Sequence, residues 1–266
     1  MSRSVSILLA MSALLVLPGL CHAQPDLVKR IKKVTEVPIW QRKPITKKEL
    51  QKAMKDLQSQ DKQTMQDAYE LVALSRPIPA YADVTVGTAQ TIARQSKDKF
   101  AMAMTFEIRR DWNEAKQAAQ TLQTAQRAGG MRYLEQILAR GNASQVGAPM
   151  IAVAYSGNSR AGAVLVQYWR KSKIPGIRAL LILGPPAADG LARQLNDPDE
   201  FVRKDVITVL GKIGTEKQVP QLQKLAEGSR DYIRRLVTEA IEKIEAREAE
   251  AKKQQASSKK KKPKKK

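Results

Sequence analysis

Cysteine and histidine are almost missing from this chain. Its one cysteine, Cys21, and its one histidine, His22, stand side by side near the N-terminus. Before them come a basic Arg3 and an apolar run from Ile7 to Leu17, interrupted only by Ser12 and closed by Pro18 and Gly19. The pattern reads as a secretory signal over residues 1–23 with cleavage after Ala23. An uncleaved anchor and acylation of Cys21 are the alternatives. The run is shorter than the roughly 20 residues that span a bilayer, and Pro18-Gly19-Leu20 fits acylation poorly, because small residues are expected beside such a cysteine. Cleavage removes both Cys21 and His22. On that reading disulfides, thiol nucleophiles, Cys/His zinc sites and His-dependent triads are all excluded.

Aromatics are scarce too, at 5% with three Phe and three Trp, whereas 42% of the residues are hydrophobic. Such a chain can build a core, and its Ala, Leu, Lys and Gln favour helices, where straight side chains lose little rotamer freedom. Acidic residues are the third shortage: 26 against 47 Lys and Arg, a formal charge of +21. A polyanionic partner or an anionic surface is the physical implication. Phosphate-cradling loops are missing as well, since Gly129-Gly130 and Gly184 follow helical stretches without the lysine such loops carry. The carboxylates Glu70, Asp83, Glu107 and Asp111 offer acid–base groups, but no spacing brings two of them together. The expectation is therefore a protein that is not an enzyme and needs no metal or cofactor.

What is present is helical periodicity. Residues 24–129 read as a helical N-terminal region. Lys29, Arg30, Lys32 and Lys33 lie close together on a short helix around Leu27 to Val34. Thr46 and Glu49 have capping-box spacing, and a second helix covers Gln63 to Leu74, stopping before Arg76-Pro77. Ala80 to Gly87 reads as a loop or a short extended piece. Phe100, Met104, Ile108, Trp112, Ala115, Ala119 and Leu122 recur at steps of three and four, which predicts a long amphipathic helix ending at Gly129-Gly130. Arg109-Arg110-Asp111 falls on its wet face.

From 130 to 250 the chain repeats. Gly157, Gly184 and Gly211 each close an apolar stretch, and each is followed by a second helical segment. Val202, Arg203, Val206, Leu210 and Ile213 align with Ile233, Arg234, Val237, Ile241 and Ile244. Two helices per unit at this period form an α-solenoid, because a single pair cannot bury its own apolar faces. The stretch from Leu195 to Ala226 resembles a short HEAT repeat of the phycobilisome-lyase type. Asp197-Pro198 opens its first helix, Leu210-Gly211-Lys212-Ile213-Gly214 closes it, and Val219-Pro220-Gln221-Leu222 begins its partner. Asp197 is expected as the N-cap with Pro198 in the first helical position. Pro185-Pro186 departs from the pattern and calls for a different turn. Arg203 and Arg234 hold equivalent positions, which would let them line one ligand-facing edge; the resemblance implies instead that they pair with carboxylates between neighbouring repeats. It carries no bilin chemistry, since the module is structural.

The fold class expected is thus all-α, a HEAT-like α-solenoid in the C-terminal half after an irregular helical region. Residues 251–266 read as a disordered lysine-rich tail ending in Lys259, Lys260, Lys261, Lys262, Lys264, Lys265 and Lys266. These lysines, with Arg170, Lys171, Lys173 and Arg178 on an inter-helix turn, are the candidate anion-binding residues. The functional expectation is an exported scaffold, periplasmic or secreted. Its repeat surface would take a protein partner, and its tail an anionic membrane or envelope polymer, with no small-molecule substrate. The alternative is a polyanion- or nucleic-acid-binding protein that uses the basic helices and tail.

Overall fold

The structure, a computed structural model, describes residues 25–260, with side chains over 26–253. The expected signal segment with Cys21 and His22 lies outside the described residues, as do Lys261, Lys262, Lys264, Lys265 and Lys266. The protein is all-α. Among the described residues the only β-type pairing is an isolated bridge between Pro44 and Arg76. The chain forms two compact units that divide between Ala119 and Gln120.

The N-terminal unit holds helices α1 (Pro25–Glu36), α2 (Lys47–Asp56), α3 (Lys62–Ala73), α4 (Ala82–Ser96) and the first part of α5 (Lys99–Arg127). The capping box forms as expected: Thr46 Oγ1 accepts from the Glu49 amide at 3.2 Å, and the Thr46 amide donates to Glu49 Oε2 at 2.8 Å. On α5 the three-and-four spacing lands where it should, with Phe100, Met104, Ile108 and Trp112 buried beside Leu57, Tyr69 and Val72. Ala80 to Gly87 is not a loop. A 3-10 turn at Pro79–Tyr81 leads into α4, whose Ala82, Val86 and Ala89 are buried. Tertiary burial of that face outweighs the weak helix propensity of Val84, Thr85 and Val86.

Two charged groups sit deeper than the sequence implies. Arg30 turns inward and shares Glu70 with Lys33 of the same helix. It donates to Glu70 and Asp67 on α3 at 2.7 Å each and stacks 4.7 Å from the Phe100 ring centroid. Burial opposes ionisation of Glu70, but hydrogen bonds from Lys33 and Arg30 outweigh it and hold the carboxyl below its ordinary range. The second group corrects the reading of Arg109-Arg110-Asp111 as a wet face, because only Arg109 is exposed. Asp111 is buried and accepts from Arg42 at 2.6 Å. Arg42, also buried, spends its remaining donors on the carbonyls of Val34, Val37 and Ala73. Arg110 bridges Asp111, at 2.9 Å, to the buried Glu107. Burial disfavours its charge, yet Asp111 and Glu107 raise its pKa above the ordinary arginine value.

The C-terminal unit is a stack of helix pairs. After α6 (Met131–Arg140) come α7 (Gly147–Tyr155) with α8 (Ala161–Tyr168), then α9 (Lys173–Leu183) with the short α10 (Ala188–Ala192). Next are α11 (Glu200–Ile213) with α12 (Val219–Glu227), and finally α13 (Asp231–Lys260). The first helices pack side by side in the order α7, α9, α11, α13, and α8, α10 and α12 form the second layer. Pro185-Pro186 breaks the pattern as expected: 3-10 turns at Pro185–Ala187 and Arg193–Asn196 bracket α10. Of the three periodic glycines, Gly157 and Gly184 adopt positive φ and end their helices. Gly211 instead lies within α11, where a Cβ would come 3.0 Å from the Ala240 Cα of α13. It permits close approach of two helices rather than a turn. The backbone of α13 stays helical through Ser257 to Lys260, past the point where the tail was expected to lose structure.

The buried ion network yields a direct test. Asp111→Ala leaves the Arg42 guanidinium buried without its carboxylate and should cost about 3–5 kcal/mol of stability. Arg109→Ala, on the exposed side of the same turn, should stay within about 0.5 kcal/mol of wild type. Urea denaturation followed by tryptophan fluorescence compares them, and equal losses would contradict the assignment.

Candidate functional site

The stacked layers of the C-terminal unit are where the candidate residues gather. Helices α7 and α9 are apolar nearly all round. Met150, Val153, Ala179 and Leu180 are among their buried residues, which is how a helix between two neighbours must look. The aligned positions also land in the core: Val202, Val206, Leu210 and Ile213 on α11, and Ile233, Val237 and Ile244 on α13. Ile241 is only half-buried, and Ala240 takes the place against Gly211.

Polar side chains tie successive layers together. The buried Trp169 donates its indole N–H to Gln194 Oε1 at 2.9 Å, and Gln194 Nε2 donates to the Val166 carbonyl at 3.0 Å. One repeat further on, buried Gln218 does the same work. Its Nε2 donates to Asp189 at 2.5 Å, while its Oε1 accepts from the Thr215 amide at 2.8 Å. Arg247 of α13 reaches back to the carbonyls of Gly211 and Gly214 at the C-terminal end of α11, where a cation complements the helix dipole. Burial lowers its pKa from the ordinary arginine value.

The turn cluster proposed for anion contact joins these ties. Arg170 pairs with Asp197 at 2.8 Å, and Lys173 with Asp205 on α11 at 2.6 Å. Lys171 donates to the Ala139 carbonyl at the end of α6 at 2.5 Å. Arg178 lies on α9 and also has a partner within the chain. Arg170, Lys171 and Lys173 link layers, because carboxylates and carbonyls of neighbouring helix pairs stand opposite them. Lys259 and Lys260 lie on the last turn of α13.

Three details of the repeat motif need correction. The N-cap of α11 is Asp199, which accepts from the Phe201 amide at 2.9 Å, not Asp197. Asp197 accepts from the Asp199 amide instead, and Pro198 stands outside the helix, so the entry is two residues later than the motif implied. Arg203 does not bridge repeats either. It donates to the Asp197 and Pro198 carbonyls, at 2.6 and 3.0 Å, and so closes the turn before its own helix. Arg234 pairs with Asp231 at 2.5 Å, one turn earlier on α13.

Sequence reasoning passed over the exposed apolar residues at the same edge. Ile174 and Phe201 occupy the second position of α9 and α11, and both are exposed. Tyr232 is the corresponding residue of α13, and Lys204 joins the last two, 5.4 Å from the Phe201 ring centroid and 4.4 Å from that of Tyr232. Glu200 is held below the ordinary carboxylate range by the Tyr232 hydroxyl first, with Lys204, Arg230 and Arg203 adding to the effect. The signal was available: Ile174, Phe201 and Tyr232 follow the same period as the helix starts. The catalytic options read differently. Glu70 pairs with Arg30 and Lys33, Asp83 with Lys116, and Glu107 and Asp111 together clamp Arg110.

A family model described as HEAT repeats matches residues 177–242, from within α9 into α13. The stacked unit is HEAT-like. No curated protein matches the chain. The pair α7 and α8 lies outside the matched residues, yet it packs on α9 and α10 in the same two-layer manner. The HEAT-like packing therefore extends further than the match. If the inter-layer ties carry stability, Gln194→Leu should cost about 1–3 kcal/mol, because the Trp169 N–H is left buried without an acceptor. Thermal denaturation reads this, and an unchanged midpoint would contradict it.

Proposed function

We propose that this chain is a non-enzymatic, protein-binding scaffold that works outside the cytoplasm, with its lysine-rich C-terminal segment attaching it to an anionic surface. The observation that carries the reading is the HEAT-like stack itself, an extended row of equivalent helix ends of the kind that suits a protein partner. Export rests on Arg3, the Ile7 to Leu17 run and the Pro18-Gly19 break. Surface attachment rests on charge. The last eight residues contain seven lysines, and each lysine close to an anionic membrane contributes about 1 kcal/mol.

The excess of cations also favours a second reading, direct binding of a nucleic acid or another polyanion. The two separate by salt. Counterion release makes polyanion binding fall steeply as salt rises, whereas a protein complex with an apolar centre resists it.

Cells expressing the full chain, and a version ending at Gln255, should be fractionated and the product N-termini read by mass spectrometry. The expected result is a start at Gln24 in an exported fraction, with envelope association that the truncation weakens. An intact Met1 in the cytoplasm would contradict export and move nucleic acid to the front.

A further inference from the structure

We propose that the edge formed by the starts of α9, α11 and α13 is the protein-docking site, and that its partner is an acidic segment carrying apolar anchor side chains. The proposal rests on the scaffold reading above and gives that scaffold a location and a partner chemistry.

The apolar half of the argument is exposure in register. Ile174 is 58% exposed and Phe201 67%, each at the second position of helices that pack against one another. Tyr232 continues the row, joined to Phe201 by the shared Lys204. Scattered apolar residues on a surface need no explanation, but Ile174, Phe201 and the half-buried Tyr232 hold the same helix position in adjacent layers and form a strip in register. Positions facing solvent are under no packing demand to be apolar, so a covering partner accounts for the strip.

The charged half is the direction in which the ion pairs point. In three inter-layer pairs at this edge the carboxylate is turned in and the cation out. Asp197 is 15% exposed against 49% for Arg170, and Asp205 is 13% against 41% for Lys173. Glu200 is 35% exposed against 82% for Arg230. The acids lie on the inner side, while Lys173 adjoins Ile174 in the chain, Lys204 lies over the Phe201 and Tyr232 rings, and Arg230 stands two residues before Tyr232. A basic partner would be repelled by these cations, and a purely anionic one would leave the strip bare. Carboxylates flanking one or two large apolar side chains satisfy both features.

Selection of a random peptide library against the immobilised full chain, in physiological salt, tests this. The selected peptides are then synthesised and their affinities measured for wild type and three variants. The expected result is acidic peptides bearing Leu, Ile, Phe or Trp. Their affinity should drop about tenfold or more on Ile174→Ser with Phe201→Ser, as for a buried anchor, and also fall on Arg230→Glu. Leu71→Ser, an exposed apolar residue of the other unit, should leave it unchanged. Circular dichroism of the variants should match wild type, since all the substituted side chains face solvent.

Salt-resistant peptides indifferent to the Ile174 and Phe201 substitutions would overturn this site while leaving the scaffold reading intact. Peptides that are acidic without apolar residues, and lose binding with salt, would overturn both and favour the polyanion reading. Self-association in sedimentation that Phe201→Ser abolishes would give the edge to a second copy and overturn the acidic partner.

Discussion

Burial of helices that are apolar on more than one side is the constraint on which the C-terminal unit depends. Neither α7 nor α9 can satisfy its surface within its own pair, so each needs a neighbour in front and behind. Stacking supplies that neighbour and makes stability a property of the interfaces between repeats rather than of any one helix. Gly211 shows how tight the demand is, since it brings α11 so close to Ala240 that a Cβ there would push the neighbouring helix back. The apolar seam is then completed by hydrogen bonds that would be costly to leave unmade, those of Gln194 and Gln218.

This arrangement also explains where the charge goes. A chain with so many cations places many of them opposite neighbouring layers, where Asp197, Asp205 and Glu200 receive them from the inner side. Structure and surface chemistry thereby share the same residues. The pairs hold the stack in register, and the cation is the more exposed member of each. The N-terminal unit uses a different solution, an enclosed network in which Arg42 and Arg110 meet Asp111 and Glu107, with backbone carbonyls taking the donors left over.

Much of the architecture was legible in the sequence because apolar periodicity reports directly on burial. The face of α5, the Thr46 cap, the aligned positions of α11 and α13, and the disruption at Pro185-Pro186 all follow from local rules. What was not legible depended on partners distant in sequence. Arg109, Arg110 and Asp111 look alike as a charged triplet, and only the fold sends Asp111 to Arg42. Asp197 and Asp199 are both good caps, and the choice between them turns on the Arg170 contact as well as on the local turn. Residues Val84 to Val86 read as non-helical until the core that buries Val86 is in place. The cluster around Arg170 and Lys173 read as an anion site because the carboxylates that meet these two, Asp197 and Asp205, lie further along the chain. The row of Ile174, Phe201 and Tyr232 was visible as a period but is informative only once the fold shows Ile174 and Phe201 exposed and Tyr232 half-buried.

Native-state hydrogen exchange on the full chain tests the central claim most directly. If stacking holds α7 to α13 as one unit, the buried amides of α7, α9, α11 and the first part of α13 should share a common high protection. The overhang of α13 beyond Glu248 should exchange rapidly. Rapid exchange in α7 and α8 alongside full protection in α11 to α13 would contradict the account, because the array would then begin only where the family match does.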